Sequence, residues 1–333
     1  MSRRGDGGDE LLVNTKRTAR ELDRLLTEQL NPGSLELDKK SALQIARIIN
    51  TEDAKVAGAV KRCLPQIARA IDVIAGCLGR GGRLIYVGTG TSGRIAALDA
   101  AECPPTFDTD PSMVQFVIAG GERALAGAVE ASEDSSESGE REIAKRKPAR
   151  KDVVVGVAAS GRTPFTIAAI AYARKAGART IAVTCNRNSR LGRAAEMEIV
   201  TEVGPEVISG STRMKAGTAQ KMVLNMLSAG AMTRLGYVYG NLMVNLHPRN
   251  EKLLERATRI LQLATGCSRS VAKKYLQLTE GHTPIALIML KTGADISAAE
   301  MALATAHDNV RRAIEQARRS KAVSAKHLRR VQR

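Results

Sequence analysis

RLIYVGTGTSGRIAALDAAECPPT, residues 83–106, places a strand, a turn and a helix in immediate succession. Leu84-Ile85-Tyr86-Val87 is an apolar run of strand length between glycines. The turn that follows, Gly88-Thr89-Gly90-Thr91-Ser92-Gly93, offers backbone N–H groups and three hydroxyls at a helix start. The positive end of the helix dipole lies there, so the turn suits an anion such as phosphate. Glu102 comes ten residues after Ser92, and Pro104 is expected to end the helix, since it cannot continue the hydrogen-bond ladder. A phosphate cradle and a carboxylate on one strand–turn–helix unit point to chemistry on a phosphorylated small molecule.

The turn alone does not identify the ligand. Gly88, Gly90 and Gly93 fit G-x-G-x-x-G, but a dinucleotide site also wants an acid at the end of the next strand. That strand, Val114–Ile118, runs into Ala119-Gly120-Gly121, with Glu122 only nearby. No G-x-x-x-x-G-K-[ST] loop stands here, so nucleoside triphosphate binding has no support. The hydroxyls favour a phosphomonoester, and at this point sugar phosphate and dinucleotide both stay open.

Alternation of strands and helices extends outward from this unit. Strands are expected near 84–87, 114–119, 153–157, 180–184 and 197–203. Helices are expected near 92–101, 122–147, 164–176 and 213–235. Such alternation implies a doubly wound parallel α/β sheet, with ligands at the carboxyl ends of its strands. Before it, helices are expected over 11–30, 39–50 and 52–79, with a turn at Asn31-Pro32-Gly33-Ser34. After about residue 240 the pattern is wholly helical: 247–265, 268–279, 283–292, 296–304 and 307–319. The expected units are an N-terminal tail and helices (1–50), the α/β domain (51–240), a small all-helical domain (241–320) and a basic tail (321–333).

Composition bounds the rest. The 333 residues are 44% hydrophobic but only 2% aromatic, with no Trp. A core of Ala, Leu, Ile and Val follows, and stacking platforms for nucleic acid do not. The net charge is +17, and nine Lys/Arg against Glu315 in residues 309–333 supply +8 of it. That tail reads as a solvated, frayed terminus, and no nucleic-acid partner is expected. Five dispersed cysteines without a C-x-x-C pair argue for a reducing compartment, hence the cytoplasm, and against a disulfide framework. Cys103, beside Glu102, reads as a small buried thiol. Four separated histidines give no metal spacing, and neither a metal nor a cofactor is expected. No run of 18 apolar residues exists, so no membrane span is expected.

A second hydroxyl-rich turn, Ala158-Ala159-Ser160-Gly161-Arg162-Thr163-Pro164, follows the strand Val153–Val157. Helix capping explains one such hydroxyl. Two such loops after two strands of one sheet favour a shared anion. A third segment, Gly210-Ser211-Thr212-Arg213-Met214-Lys215-Ala216-Gly217-Thr218-Ala219-Gln220-Lys221, opens a long helix. Cations at a helix start oppose its dipole, which favours a role for Arg213 or Lys215 toward a ligand. Glu130, Glu133 and Glu137 are expected on one face of the helix 122–147, where a solvated face is the plain reading.

Together, ECPPT, AASGRTP, STRMKAGTAQK, GNLMV (240–244), ATGCS (264–268), TEQLNPGSLELD (27–38) and ARIIN (46–50) resemble the N-acetylmuramic acid 6-phosphate etherase family. The resemblance covers about residues 27–300. It implies a sugar isomerase (SIS) domain, a small C-terminal helical domain and a homodimer. It also implies cleavage of the lactyl ether of N-acetylmuramic acid 6-phosphate to N-acetylglucosamine 6-phosphate and D-lactate, in recycling of cell-wall sugars. Glu102 and Glu133 match the two family acids, which replaces the solvated-face reading of Glu133. Gly90, Thr91, Ser92, Ser160, Gly161, Thr163 and Lys215 form the expected substrate-binding set. Ala158 stands where many phosphosugar isomerases have a serine, so one hydroxyl contact of that wider group is missing. Residues 1–26 and those after 319 have no counterpart.

The implied reaction is an elimination followed by addition of water. Ring opening exposes an aldehyde at carbon 1 and acidifies the carbon-2 proton. One carboxylate takes that proton while the other, protonated, serves the departing lactate oxygen. Glu102 is assigned to the lactate oxygen and Glu133 to the base. The competing expectations are an aldose–ketose phosphosugar isomerase and a phosphosugar-sensing regulator like glucokinase regulatory protein. The ECPPT motif opposes the first. The second would carry two SIS domains, and one is visible.

Overall fold

The computed structural model describes residues 25–127, 129, 132–246, 248 and 250–319. Strands β1 (Leu84–Gly88), β2 (Val114–Ile118), β3 (Val153–Val157), β4 (Arg179–Thr184) and β5 (Met197–Val200) form one parallel sheet, ordered β2-β1-β3-β4-β5. Leu84 registers with Val114 on one side and with Val153 on the other. The chain therefore leaves β1 in one direction and returns to its other edge, and the crevice between β1 and β3 is the switch point where such sheets bind ligands.

Period-two alternation sorts the strand residues between two covered faces. Leu84, Tyr86, Val153, Val155, Ile181, Val183 and Ile199 pack on one side. The helices there are α1 (Ala42–Lys61), α2 (Leu64–Leu78), α3 (Gly90–Phe107) and α8 (Lys215–Leu235). Ile85, Val87, Val154 and Ala182 pack on the other side, against Ile143, Phe165, Ile170 and Leu191. Those four side chains come from α5 (Ser136–Lys145), α6 (Pro164–Lys175) and α7 (Arg190–Ala194). The doubly wound expectation holds. Beyond it, α9 (Glu251–Thr265), α10 (Arg269–Leu278), α11 (Thr283–Thr292), α12 (Ile296–Thr305) and a last helix over 310–319 build a separate hydrophobic core. No helix among the described residues is long and apolar enough to cross a membrane.

Local expectations differ from the structure in four places. First, α3 does not stop at Pro104: both Pro104 and Pro105 lie inside it, and it ends where Asp108 adopts φ +52° and donates its N–H to the Pro104 carbonyl. A proline inside a helix costs about 3 kcal/mol. Burying Phe107 and Cys103 on the core side offsets a cost of that size. Second, no helix spans 122–147. A short turn, α4 (Arg123–Ala126), and α5 flank an irregular segment that holds Glu133. Glu133 and Glu137 therefore do not share a helical face, and Glu130 lies outside the described residues. Third, the break before the sheet falls after Lys61 rather than at 50, because Pro65 fits the first turn of α2. Fourth, the described end of the expected helix 11–30 is a 3-10 turn, Leu26–Glu28. Residues 11–24 and the tail 321–333 lie outside the described residues.

Candidate active site

The first turn of α3 packs close on the sheet and carries no side-chain cap. Gly93 lets the helix sit directly on the sheet: a Cβ there would come 2.5 Å from Ile118 Cγ1. Gly93→Ala is expected to cost about 1–3 kcal/mol by overpacking, read as a lower urea midpoint; an unchanged midpoint would mean that Ile118 simply moves aside. Thr89 is the N-cap residue, yet its hydroxyl caps nothing. It donates instead to Glu133 Oε2 at 3.1 Å. Among the described residues, no side chain caps the N–H groups of the first turn, the position where helices accept anions.

Glu133 joins the two hydroxyl-rich loops. Its side chain reaches the β1–α3 loop, where Oε1 lies 3.1 Å from the position a Cβ on Gly90 would take, and Gly90 adopts φ +48°. Its backbone carbonyl accepts the Phe165 N–H at 3.1 Å, at the start of α6. The irregular segment is stitched across the switch point, and this is what brings the carboxylate there.

The remaining expected residues fall into two groups. Around the crevice, Ser160 Oγ accepts the Arg162 N–H at 3.3 Å, leaving its own proton available. Thr163 is the N-cap of α6 without a side-chain capping bond. Gly161 shapes this loop at φ +67°, with its N–H already donated to Ala158. Thr91 lies in the first turn of α3, on the side toward Gly217 of α8. Ser92 donates to Gln220 Oε1 at 2.9 Å, also on α8. Lys215 departs from expectation. Its ammonium is 1% exposed and bonds Glu52 Oε2 at 2.7 Å, so it is committed to the interior. The N-terminus of α8 is likewise occupied: Glu206 accepts the N–H groups of Lys215 and Ala216 at 3.0 and 2.9 Å. The opposition between cation and dipole is settled by these two buried carboxylates.

Glu102 stands elsewhere in the chain. It is exposed, twelve residues along α3 from Gly90, which is about 18 Å of helix. Carboxyls that flank one reacting bond usually stand roughly 5–10 Å apart. Within one chain, therefore, the backbone of Glu102 lies further from the turn that Glu133 reaches than that usual spacing. Glu102 lines a cleft of about 210 Å³ with Ile95, Leu98, Asp99, Lys221 and Asn225. Beneath it, Asp99 accepts from Tyr86 at 2.8 Å, Asn225 at 2.7 Å and Ser228 at 3.1 Å, tying β1, α3 and α8 together. Burial raises the Asp99 carboxyl above its ordinary value, despite those donors. Burial also pushes the Cys103 thiol up to about 12, so it is an inert core group.

Thr89 belonged to the expected anion turn, but its bond to Glu133 was not foreseen, and Gln220 and Lys221 were not among the expected residues. Gln220 and Lys221 closed a segment already singled out, but only the packing of Gly217 against Thr91 and Ile95 brings that helix face to α3.

A five-stranded parallel sheet with hydroxyl-lined loops at its switch point defines a sugar isomerase (SIS) type of protein. Family models agree: one described as glucokinase regulatory protein N-terminal SIS domain matches residues 55–174, and one described as SIS domain matches 143–229. The chain is 49% identical over 273 residues to N-acetylmuramic acid 6-phosphate etherase of Aeromonas hydrophila, covering 82% of this chain and 92% of that protein. It is 46% identical over 293 residues to the enzyme of that name from Actinobacillus pleuropneumoniae, covering 88% and 96%. The etherase 1 of Bacillus licheniformis is 47% identical over 293 residues, with the same coverage. The chain belongs to the N-acetylmuramic acid 6-phosphate etherase family.

Proposed function

We propose that this chain cleaves the lactyl ether of N-acetylmuramic acid 6-phosphate, yielding N-acetylglucosamine 6-phosphate and D-lactate as a carbon–oxygen lyase in cell-wall sugar recycling. The observation that carries this reading is Glu133, held by Thr89 at the open N-terminus of α3. A phosphate on that turn and on Ser160 and Thr163 places a sugar carbon against a fixed carboxylate. Binding energy at the phosphate then orients a bond remote from it.

In this reading Glu133 takes the carbon-2 proton of the open-chain aldehyde. The electron pair moves between carbons 2 and 3, the carbon-3–oxygen bond breaks, and protonated Glu102 gives its proton to the lactate oxygen. Water then adds at carbon 3, losing a proton to Glu102, while Glu133 returns a proton to carbon 2. The separation of the two acids along α3 supports a homodimer in which one copy's Glu102 serves the other copy's phosphate turn. The fully buried free thiols, Cys63, Cys77, Cys103 and Cys185, suit a reducing compartment, and the proposal includes the cytoplasm.

Incubating the protein with N-acetylmuramic acid 6-phosphate is expected to release D-lactate stoichiometrically, with deuterium entering carbon 2 in heavy water. A ketose 6-phosphate formed without lactate would replace this reading with an isomerase. Carbon-2 exchange measured separately in Glu133→Gln and Glu102→Gln tests the division of roles: exchange is expected to vanish only in the first.

A further inference from the structure

We propose that the cleft beside Glu102 is the subsite for the carboxylate of the departing lactyl group, with Lys221 as its counter-ion. This rests on the reading that Glu102 protonates the ether oxygen. The substrate in that reading carries two anions at opposite ends of the sugar. The Gly-rich turn takes the phosphate. Whatever protonates the ether oxygen stands within hydrogen-bond reach of it, and the lactyl carboxylate is only two bonds from that oxygen. Its counter-ion therefore has to stand beside Glu102.

Lys221 meets that requirement. It is the one cation among the six residues lining the cleft. Among the described residues, no hydrogen bond or ion pair engages its ammonium, although its charge acts on Asp99. Asp99 itself is saturated by Tyr86, Asn225 and Ser228. The fold thus uses the neighbouring carboxylate and leaves the ammonium for something else. Without that ammonium, a bound lactyl carboxylate would have no counter-charge among the residues lining the cleft, beside an Asp99 whose acceptors are already filled. The other wall suits a methyl group: Ile95 and Leu98 line it, and Leu98 is 52% exposed. The cleft volume of about 210 Å³ equals that of about seven liquid waters, enough for a three-carbon acid.

The test compares N-acetylmuramic acid 6-phosphate with its lactyl amide, in which the carboxylate is a neutral primary amide. Wild-type, Lys221→Met and Lys221→Arg full-length proteins are assayed for kcat/KM on each. A charge-assisted hydrogen bond is worth roughly ten- to a hundredfold, so the wild type is expected to prefer the acid by about that factor. Lys221→Met is expected to lose that factor on the acid and keep the amide rate, bringing the acid-to-amide ratio near one. Lys221→Arg is expected to keep most of the preference. Inhibition by N-acetylglucosamine 6-phosphate, which lacks the lactyl group, is expected to stay unchanged in Lys221→Met. An unaltered acid-to-amide ratio in Lys221→Met would overturn the subsite while the etherase reading stands. A wild type that releases no lactate from the acid would overturn both.

Discussion

Two inactive variants are expected to restore each other. Glu102→Gln and Glu133→Gln are each expected to lose about 10²–10⁴-fold in lactate release, the contribution of a positioned acid or base. Co-expressed with different tags and pairing at random, they are expected to recover about a quarter of wild-type activity, since half the pairs are mixed and each mixed pair has one intact site in two. The reason is the geometry of α3. Glu133 sits at its N-terminal turn and the backbone of Glu102 about 18 Å down the same helix, further than the usual spacing of two carboxyls that flank one bond. A site that combines one copy's turn with the other copy's Glu102 is rebuilt in a mixed pair. A site confined to one chain is not. Recovery no greater than the two variants show separately would defeat the two-copy arrangement. Near-normal turnover in either single variant would remove that residue from the mechanism.

The second large effect concerns stability. Lys215→Met is expected to destabilise the fold by up to about 3–5 kcal/mol, because it removes the buried partner of Glu52 and leaves its carboxylate only Asn31 and the exposed Lys55. Adding Glu52→Gln to it should recover much of the loss, since removing both charges leaves neither unpaired. Chemical denaturation of the two single variants and the double variant measures this directly. Two deficits that simply add would show that the pair is not coupled. The pH dependence has a definite sign. Burial alone would raise the Glu52 carboxyl, but hydrogen bonds from Lys215, Lys55 and Asn31 outweigh it and hold it at about 2. An acid depressed in the folded state stabilises above its ordinary value of 4.5 and loses that contribution as pH falls toward about 2. The stability advantage of wild type over Glu52→Gln is therefore expected to be full at neutral pH and to shrink between 4.5 and 2. A constant difference across that window would remove Glu52 as its source.

The same pair shows where reading residues in order fails. Lys215 looked like a ligand contact because a cation at a helix start is electrostatically unfavourable. That argument correctly demanded a compensating anion. The anions are Glu52, 163 positions earlier in the chain, and Glu206, nine positions earlier. Neither is visible from local charge patterning. Pro104 illustrates the opposite error. The local penalty for proline was sound, but tertiary burial of Phe107 carries α3 past it.

Strand alternation, the two glycine- and hydroxyl-rich turns and the motif-bearing segments were legible in the order of residues, because short-range periodicity and turn chemistry depend on near neighbours. They were enough for the parallel sheet and for the family. Which way each side chain is spent was settled only by packing. Glu133 reaches the anion turn because an irregular segment, not a helix, is tied to the start of α6. Lys215 turns inward while Lys221, a turn and a half further on, stays exposed beside Glu102. These choices follow from contacts between residues far apart in the chain, where burial and charge pairing outweigh any local preference.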